Sequence, residues 1–287
     1  MPVAESRSAP LDDAALLARA GLENLPRDPA QGFFRADSWL RRVNAEPVIV
    51  LGGGRALLLE IAHPWVAAGV AEHSDFRRDP LGRMQRTLGA MSAIVFQDRG
   101  AGLAAVRSIE AAHAGVRGTI VRHVGGECVE TVYAASDPEA MRWVWATLVD
   151  TAVVVYRHFV AELSAEALEG YYADQAGVAR LLGIPGEILP ADWPDFERWF
   201  ESMIDGGELA VDDRAREIAA AVLHGPLPEA NARAVRILTT ALLPERLREA
   251  FGLDWNAARA ERFAALVRSV RRLRDPAGAV DGGPERR

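Results

Sequence analysis

Apolar residues recur at helical spacing in the stretch from residue 80 to residue 96. Met84, Leu88, Met91 and Val95 follow one another at steps of three and four. Such spacing places all four on one face of a helix, because an α-helix turns once every 3.6 residues or so. The pattern predicts a helix over residues 80–96 whose apolar face is directed inward.

A second apolar stripe follows in residues 100–117, and His113 lies on it. The other residues of the stripe are Leu103, Val106, Ile109 and Val116. This pattern predicts a second helix with an inward-facing imidazole. A lone histidine on an apolar helix face is more often a core residue with satisfied hydrogen bonds than a ligand, so the periodicity alone favours the structural interpretation.

Polar residues accompany both stripes. Arg83 and Thr87 lie four residues apart, one above the other on the first helix. A buried imidazole needs a partner for each ring nitrogen, and a guanidinium near the core needs an anion. A heme satisfies both needs, with its iron on His113 and its propionates on arginine.

Helical patterns fill most of the remaining chain and predict an all-α single domain over residues 1–274. We expect helices at residues 12–21 and 138–163, a helix after Pro190 with an aromatic packing stripe, and several more from residue 212 to residue 274. Only residues 119–132 alternate like strands, with Gly125 and Gly126 as the turn of a short hairpin. Residues 275–287 are predicted to form a polar tail.

Three glycines, Gly52 to Gly54, follow an apolar run and invite comparison with a dinucleotide-binding turn. The third glycine of that fingerprint would fall on Leu57, and the chain does not alternate strands with helices. We therefore interpret the glycines as a flexible lead into a helix over residues 55–62. His63 and Pro64 should end or kink that helix, since proline disfavours helical geometry in the residue before it.

Composition excludes several classes of function. The chain has 287 residues, 49% of them hydrophobic, and a formal charge of −7, which argues against a nucleic-acid surface. All 33 basic residues are arginine, so lysine Schiff bases and phosphate-binding P-loops are impossible. Cys128 is the single cysteine, which rules out an internal disulfide or a cysteine-rich metal cluster. Without an apolar run of membrane-spanning length or a signal-like start, we expect a soluble, cytoplasmic protein.

Three motifs give the chain a family resemblance. They read LLLEIAHPWVAAGVAEHSDFRRDPLGRMQRT over residues 57–87, HAGVRG over residues 113–118 and DPEAMRWVWATL over residues 137–148. Together they resemble the latex clearing protein and MpaB-type oxygenase family, which includes the rubber oxygenases, and the resemblance spans residues 33–205.

The resemblance implies a globin-like helical core that holds heme b. The family's proximal iron ligand, the histidine of an H-x-x-x-R element, falls on His113, with Arg117 as its arginine. The R-x-x-x-T element of a heme-facing helix falls on Arg83 and Thr87, and Arg86 stands where rubber-cleaving members place a distal lysine. These three residues are the candidate catalytic residues of the distal side, and Arg83 and Thr87 are also candidates for cofactor binding.

The chain departs from the family at Trp145. Many members have histidine where this chain has Trp145, so any role of that histidine is absent here. His63 and His73 either approach a heme edge or cap helix ends, and we favour capping for both. His73 stays among the candidate cofactor-binding residues, together with Arg117.

The function that the resemblance implies is a heme-dependent oxidoreductase. It would act as an oxygenase or oxidase on an apolar or isoprenoid-like small molecule, with dioxygen bound opposite the proximal histidine. A non-catalytic heme carrier or sensor would use the same residues, and a heme-free helical binding protein would use His113 only as a core residue. The sequence alone leaves these alternatives open.

Overall fold

The computed structural model describes residues 11–22, 30, 32–74, 80–124, 127–225 and 228–274, without the side chains of residues 80, 81, 83, 84 and 122–129. Most of this part is helical. Its helices are α1 (Asp13–Ala20), α2 (Trp39–Asn44), α3 (Gly53–Ala62), α4 (Pro64–His73), α5 (Pro80–Phe96), α6 (Arg99–His113), α7 (Pro138–Phe159), α8 (Ala165–Leu181), α9 (Trp193–Asp205), α10 (Asp213–Leu223), α11 (Glu229–Leu242), α12 (Glu245–Ala250) and α13 (Ala257–Arg274). Two 3₁₀ helices span Pro47–Gly52 and Gly186–Ile188.

The strands β1 (Arg117–Val124) and β2 (Glu127–Ala134) form an antiparallel hairpin. Arg117 pairs with Ala134 at its open end, and the turn residues Gly125 and Gly126 lie outside the described part. No other strand occurs in the described ranges. The prediction of an all-α fold with at most one short hairpin is confirmed.

Short polar side chains begin many of the helices, as their positions in the sequence predict. Asp12 accepts a hydrogen bond from the Ala15 amide at 2.8 Å, and Asp192 accepts one from the Asp195 amide at 2.8 Å. Each such cap satisfies an amide without an intrahelical partner and stabilises its helix by about 1 kcal/mol. Asp79, which precedes Pro80 and is a residue type that caps helices, lies outside the described residues.

Helix α7 passes through the core and carries many of its largest side chains. Trp143, Thr147 and Phe159 are fully buried. Trp143 stacks on Phe200 of α9 with ring centroids 5.3 Å apart. The aromatic stripe of α9 is thus a packing surface rather than a platform for a substrate.

The glycines before α3 permit close packing, and the prediction of a flexible lead was wrong. A Cβ atom on Gly52 would lie 2.4 Å from Thr151 Cγ2 of α7, and one on Gly54 would lie 2.1 Å from Thr239 Oγ1 of α11. Only glycine allows α7 and α11 to approach the start of α3 so closely. The preceding apolar run is a 3₁₀ helix rather than a strand, which agrees with the rejection of the dinucleotide-binding turn.

His63 and Pro64 separate α3 from α4 as predicted. Helix α3 ends at Ala62, α4 begins at Pro64, and His63 Nδ1 accepts a hydrogen bond from the Trp65 amide at 3.3 Å.

Within the described ranges, no helix combines the length and the apolar content that a membrane crossing needs. The predicted polar tail at residues 275–287 lies outside them.

Candidate functional site

His113 is the last residue of α6. The helix ends four residues earlier than the periodicity predicts, because the chain turns at Ala114 and Gly115 and enters β1 at Arg117. The apolar stripe is fully buried only in its first half, at Leu103 and Val106. His113 is half-buried, so its imidazole lies at the edge of the core rather than within it.

Backbone hydrogen bonds fix the segment that follows His113. The Val116 amide donates to the His113 carbonyl at 3.0 Å, and the Ala135 amide donates to the Val116 carbonyl at 2.9 Å. His73 Nε2 lies 3.1 Å from the Arg117 carbonyl, where a protonated nitrogen donates to it. The structure therefore brings His113, Arg117 and His73 together where α6, α4 and the hairpin meet.

A carboxylate and a phenol hold the hairpin against α4 at the same place. The buried Tyr133 hydroxyl donates to Glu72 Oε2 at 2.6 Å, and Arg214 Nη1 lies 3.5 Å from the other carboxylate oxygen. Burial and the neighbouring Glu72 carboxylate raise the pKa of Tyr133 well above its usual range. Across the hairpin, a Cβ atom on Gly118 would lie 2.7 Å from the Tyr133 hydroxyl, so glycine is required there. We call Glu72, Gly118 and Tyr133 the hairpin clamp.

The sequence analysis missed the hairpin clamp. The available signal was Gly118, since an isolated glycine within a strand often marks the close approach of another group. The partners of that glycine lie 46 residues before it and 15 residues after it. Spacing along the chain does not pair such residues; only the folded hairpin does.

Helix α5 carries the predicted distal residues on a largely exposed face. Arg86 and Thr87 are exposed, and the side chain of Arg83 lies outside the described part. The predicted apolar face of α5 is buried at Val95, but Leu88 remains 43% exposed. The prediction that Leu88 is directed into the core was wrong, because its side chain is open to solvent.

Trp145 serves packing where many members of the resembling family have histidine. Its ring is buried, and its Nε1 donates to the Gln175 carbonyl of α8 at 3.1 Å. It also lies edge-on to Phe196, with ring centroids 5.8 Å apart. Trp145 thereby links α7, α8 and α9, and its indole offers a donor but no metal-ligating nitrogen.

The donor set near His113 suits one kind of metal centre. No group of three or more His, Cys, Asp or Glu side chains that could hold a metal ion occurs in the part of the chain that is described. A macrocycle that supplies four nitrogens needs only one protein imidazole and cationic partners for its carboxylates. In addition, Trp65 packs on the cluster of Tyr133 and Ile120, and its buried Nε1 donates to no acceptor there. His113 could supply such an imidazole, and Arg117 such a cationic partner.

Comparison with known proteins identifies one family. The model of the family described as ER-bound oxygenase mpaB/B'/Rubber oxygenase, catalytic domain, matches residues 40–272. Neither a curated protein nor a solved structure matches the chain significantly. The matched range takes in α4, α6 and the hairpin between α6 and α7. Since it covers well over half of the chain, this protein belongs to that family of oxygenase catalytic domains.

Proposed function

We propose that this protein is a heme-b-dependent oxygenase or oxidase that acts on an apolar, isoprenoid-like small molecule with dioxygen. The observation that supports the proposal most is the position of His113 within the region matched by the oxygenase family. Its imidazole is half-buried at the end of α6, four residues before Arg117. When bound, heme supplies the redox-active iron for the reaction with dioxygen.

His113 would hold the iron, and Arg117 would hold a propionate. The Arg117 side chain is exposed, and its Nη2 donates to the Ala114 carbonyl at 3.3 Å, one turn from His113. A planar guanidinium matches the geometry of a carboxylate and can bind it through two parallel hydrogen bonds. His73, bonded to the Arg117 carbonyl, would position this segment rather than touch the cofactor directly.

Residues of α5 would contact the substrate and dioxygen on the distal side of the heme. Thr87 presents a hydroxyl that can donate a hydrogen bond to an oxygen atom, and Arg86 presents a cation on the same exposed face. The neighbouring Leu88 adds apolar surface, which suits a substrate without polar groups. Arg83 belongs to this set by its position one turn before Thr87.

Two measurements test the proposal. The protein purified from heme-supplemented cells should show a Soret band and the pyridine hemochrome of heme b. It should then consume oxygen with squalene but not with squalane, which has the same carbon skeleton without double bonds. Absence of a Soret band after reconstitution with hemin would contradict the heme assignment. A Soret band without oxygen uptake across a panel of alkenes would instead favour a heme carrier or sensor.

A further inference from the structure

A groove of about 550 Å³ lies between the C-terminal end of α7 and the middle of α13. Its polar wall contains three arginines, Arg157, Arg268 and Arg271, with the imidazole of His158 and one carboxylate, Glu162, and its apolar wall contains Phe263 and Val267. The volume falls within the range of small-molecule sites, roughly 300–1,000 Å³. None of these residues belongs to the candidate oxygenase site.

Part of the positive charge has a structural purpose. Arg271 Nε donates to the His158 carbonyl at 2.8 Å, and its Nη2 donates to the Arg157 carbonyl at 3.1 Å. Arg274 Nη1 donates to the Phe159 carbonyl at 3.2 Å. These two arginines satisfy the last carbonyls of α7 and complement the negative end of its dipole. They explain why α13 is anchored here.

The guanidinium groups of Arg157 and Arg268 do not bond the carbonyls at the end of α7. The distances from Arg157 to the carboxylate oxygens of Glu162 and Glu197 are 3.8 and 3.9 Å, too long for hydrogen bonds. Arg157 Nε is buried without a hydrogen-bond partner in the described chain. Arg268 is exposed and makes no hydrogen bond or ion pair with the described residues. Arg157 thus faces the groove with two long ion pairs but no hydrogen-bonded anion, and Arg268 faces it with neither among the described residues.

The opposite wall is apolar and rests on the core. Phe263 and Val267 pack against a buried cluster that includes Val155, Phe159 and Leu242. The His158 ring lies 5.5 Å from the Phe263 ring, and its Nδ1 lies 2.9 Å from the Val154 carbonyl, where a protonated nitrogen donates. Nε2 is then the ring nitrogen that remains to meet a ligand.

The charge of α13 contrasts with that of the whole chain. Residues 257–274 contain six arginines and one glutamate, whereas the protein carries a formal charge of −7. Segregated positive charge of this kind attracts anions. The apolar wall beside it indicates that a bound anion also has an apolar part.

We propose that the groove between α7 and α13 binds an anionic amphiphile, a single carboxylate or phosphate headgroup on an apolar chain. The headgroup would lie between Arg157 and Arg268, and the chain would lie along Phe263 and Val267. Charge-assisted hydrogen bonds to two guanidinium groups fix the headgroup, and burial of the chain supplies the remaining affinity. The proposal does not depend on heme or on oxygenase activity.

Calorimetric titration of the full-length protein with dodecanoate, kept below its micelle concentration, tests this site. We expect one bound dodecanoate per chain, and butanoate should bind at least about tenfold more weakly because it lacks most of the apolar surface. Dodecyl phosphate should bind as dodecanoate does, and dodecyltrimethylammonium should not bind. Equal affinity for butanoate and dodecanoate, or no dodecanoate binding at all, would overturn the proposal.

Two arginine variants on the same exposed face of α13 provide a matched comparison. Arg268→Gln should weaken dodecanoate binding by about tenfold, while Arg272→Gln, which lies outside the groove, should change it less than twofold. Equal losses in both variants would show a nonspecific attraction of a basic helix and would overturn the site. Circular dichroism of both variants checks that the fold is unchanged.

Vesicles separate a free amphiphile from a lipid surface. Phosphatidylcholine vesicles with and without phosphatidylserine are sedimented with the wild type and with both variants. The groove proposal predicts that dodecanoate reduces any binding to the anionic vesicles, because both ligands would occupy the same cations. Binding to those vesicles that is equally weakened in both variants, without dodecanoate binding, would assign α13 to a membrane surface instead.

Discussion

At the scale of single residues, His113 is distinguished from the other histidines by its surroundings. His63 caps α4, and His158 is paired with a carbonyl of its own helix. His73 is bonded to the Arg117 backbone. Among the histidines whose side chains are described, His113 alone combines a helix end, partial burial and the H-x-x-x-R spacing, although its ligation of iron stays a prediction.

The first prediction concerns His113 directly. His113→Ala should leave a folded helical protein with little or no bound heme, because the lost bond is to the cofactor and alanine is a better helix former. His63→Ala and His73→Ala should keep most of the heme. Heme content from the Soret absorbance and helicity from circular dichroism measure both effects. If the His113 variant keeps the wild-type heme content while a His63 or His73 variant loses heme, His113 is not the axial ligand.

Arg117 offers a second residue-scale prediction. Arg117→Ala should weaken heme retention by about three- to tenfold, since an exposed guanidinium contributes modestly to holding a propionate. Arg122→Ala, on the same strand, should have little effect. The rate of heme transfer to apomyoglobin measures the difference. Equal rates for the two variants would remove Arg117 from the site.

At the scale of helices and their contacts, glycines decide how closely neighbours approach. The Gly54 backbone is packed against Thr239 of α11, whereas a Cβ atom on Gly89 of α5 would have no atom within 4 Å. Both glycines lie within helices, so the difference between them is one of packing and not of backbone conformation.

Gly54→Ala and Gly89→Ala should therefore have opposite effects on stability. Gly54→Ala should lower the free energy of unfolding by about 1–3 kcal/mol through overpacking against Thr239. Gly89→Ala should raise it by about 0.5–1 kcal/mol by reducing the entropy of the unfolded chain. Urea unfolding measures both. If Gly54→Ala combined with Thr239→Ala loses as much as the two single changes added together, the proposed clash is not the cause.

Asp174 gives the contact between α2 and α8 a pH dependence. Burial raises the pKa of this carboxyl, and hydrogen bonds from Ser38 and Leu40 offset only part of the effect. A raised pKa in the folded protein means that folding favours the protonated form. The contribution of Asp174 to stability is therefore full below the pKa of a free aspartate and declines as the pH rises through the raised value.

Asp174→Asn isolates that contribution. The free energy of unfolding of the wild type minus that of the variant should decrease as the pH rises from acid to neutral. Urea unfolding at a series of pH values measures this difference. A difference that grows with pH would mean that the hydrogen bonds outweigh the desolvation of the carboxylate.

At the scale of the whole molecule, one buried ion pair joins three helices. Arg55 Nη2 lies 2.5 Å from Asp150 Oδ2, Nη1 donates to Thr151 Oγ1 at 2.6 Å, and Nε donates to the Leu242 carbonyl at 2.7 Å. The network connects α3, α7 and the end of α11. Arg55 is almost completely buried, so removal of its partner leaves an uncompensated charge in the core.

Asp150→Ala should thus lower the free energy of unfolding by about 3–5 kcal/mol. The double variant Arg55→Met and Asp150→Leu should lose less than the sum of the single changes, with a coupling energy of about 1.5 kcal/mol or more. The exposed pair of Asp213 and Arg216 serves as the control and should show no resolvable coupling. Additive losses at Arg55 and Asp150 would refute the coupling.

The sequence by itself determined the class of the fold and, to within a few residues, the boundaries of several helices. Periodicity, Pro80 at the start of α5 and the break at Pro64 act over a few residues, so they can be read from the chain. The family was also readable, because its motifs are local and the family match confirms them. His113 and Arg117 were singled out in the same way, from a spacing of four residues.

Only the tertiary structure decided what surrounds those residues. The end of α6 at His113, the exposure of Leu88 and the use of Gly54 for packing depend on which elements lie alongside them. The hairpin clamp likewise joins residues from α4, β1 and β2 that no local pattern pairs. Burial is a property of contacts between distant segments, and a periodic pattern states which face is apolar without stating what covers it.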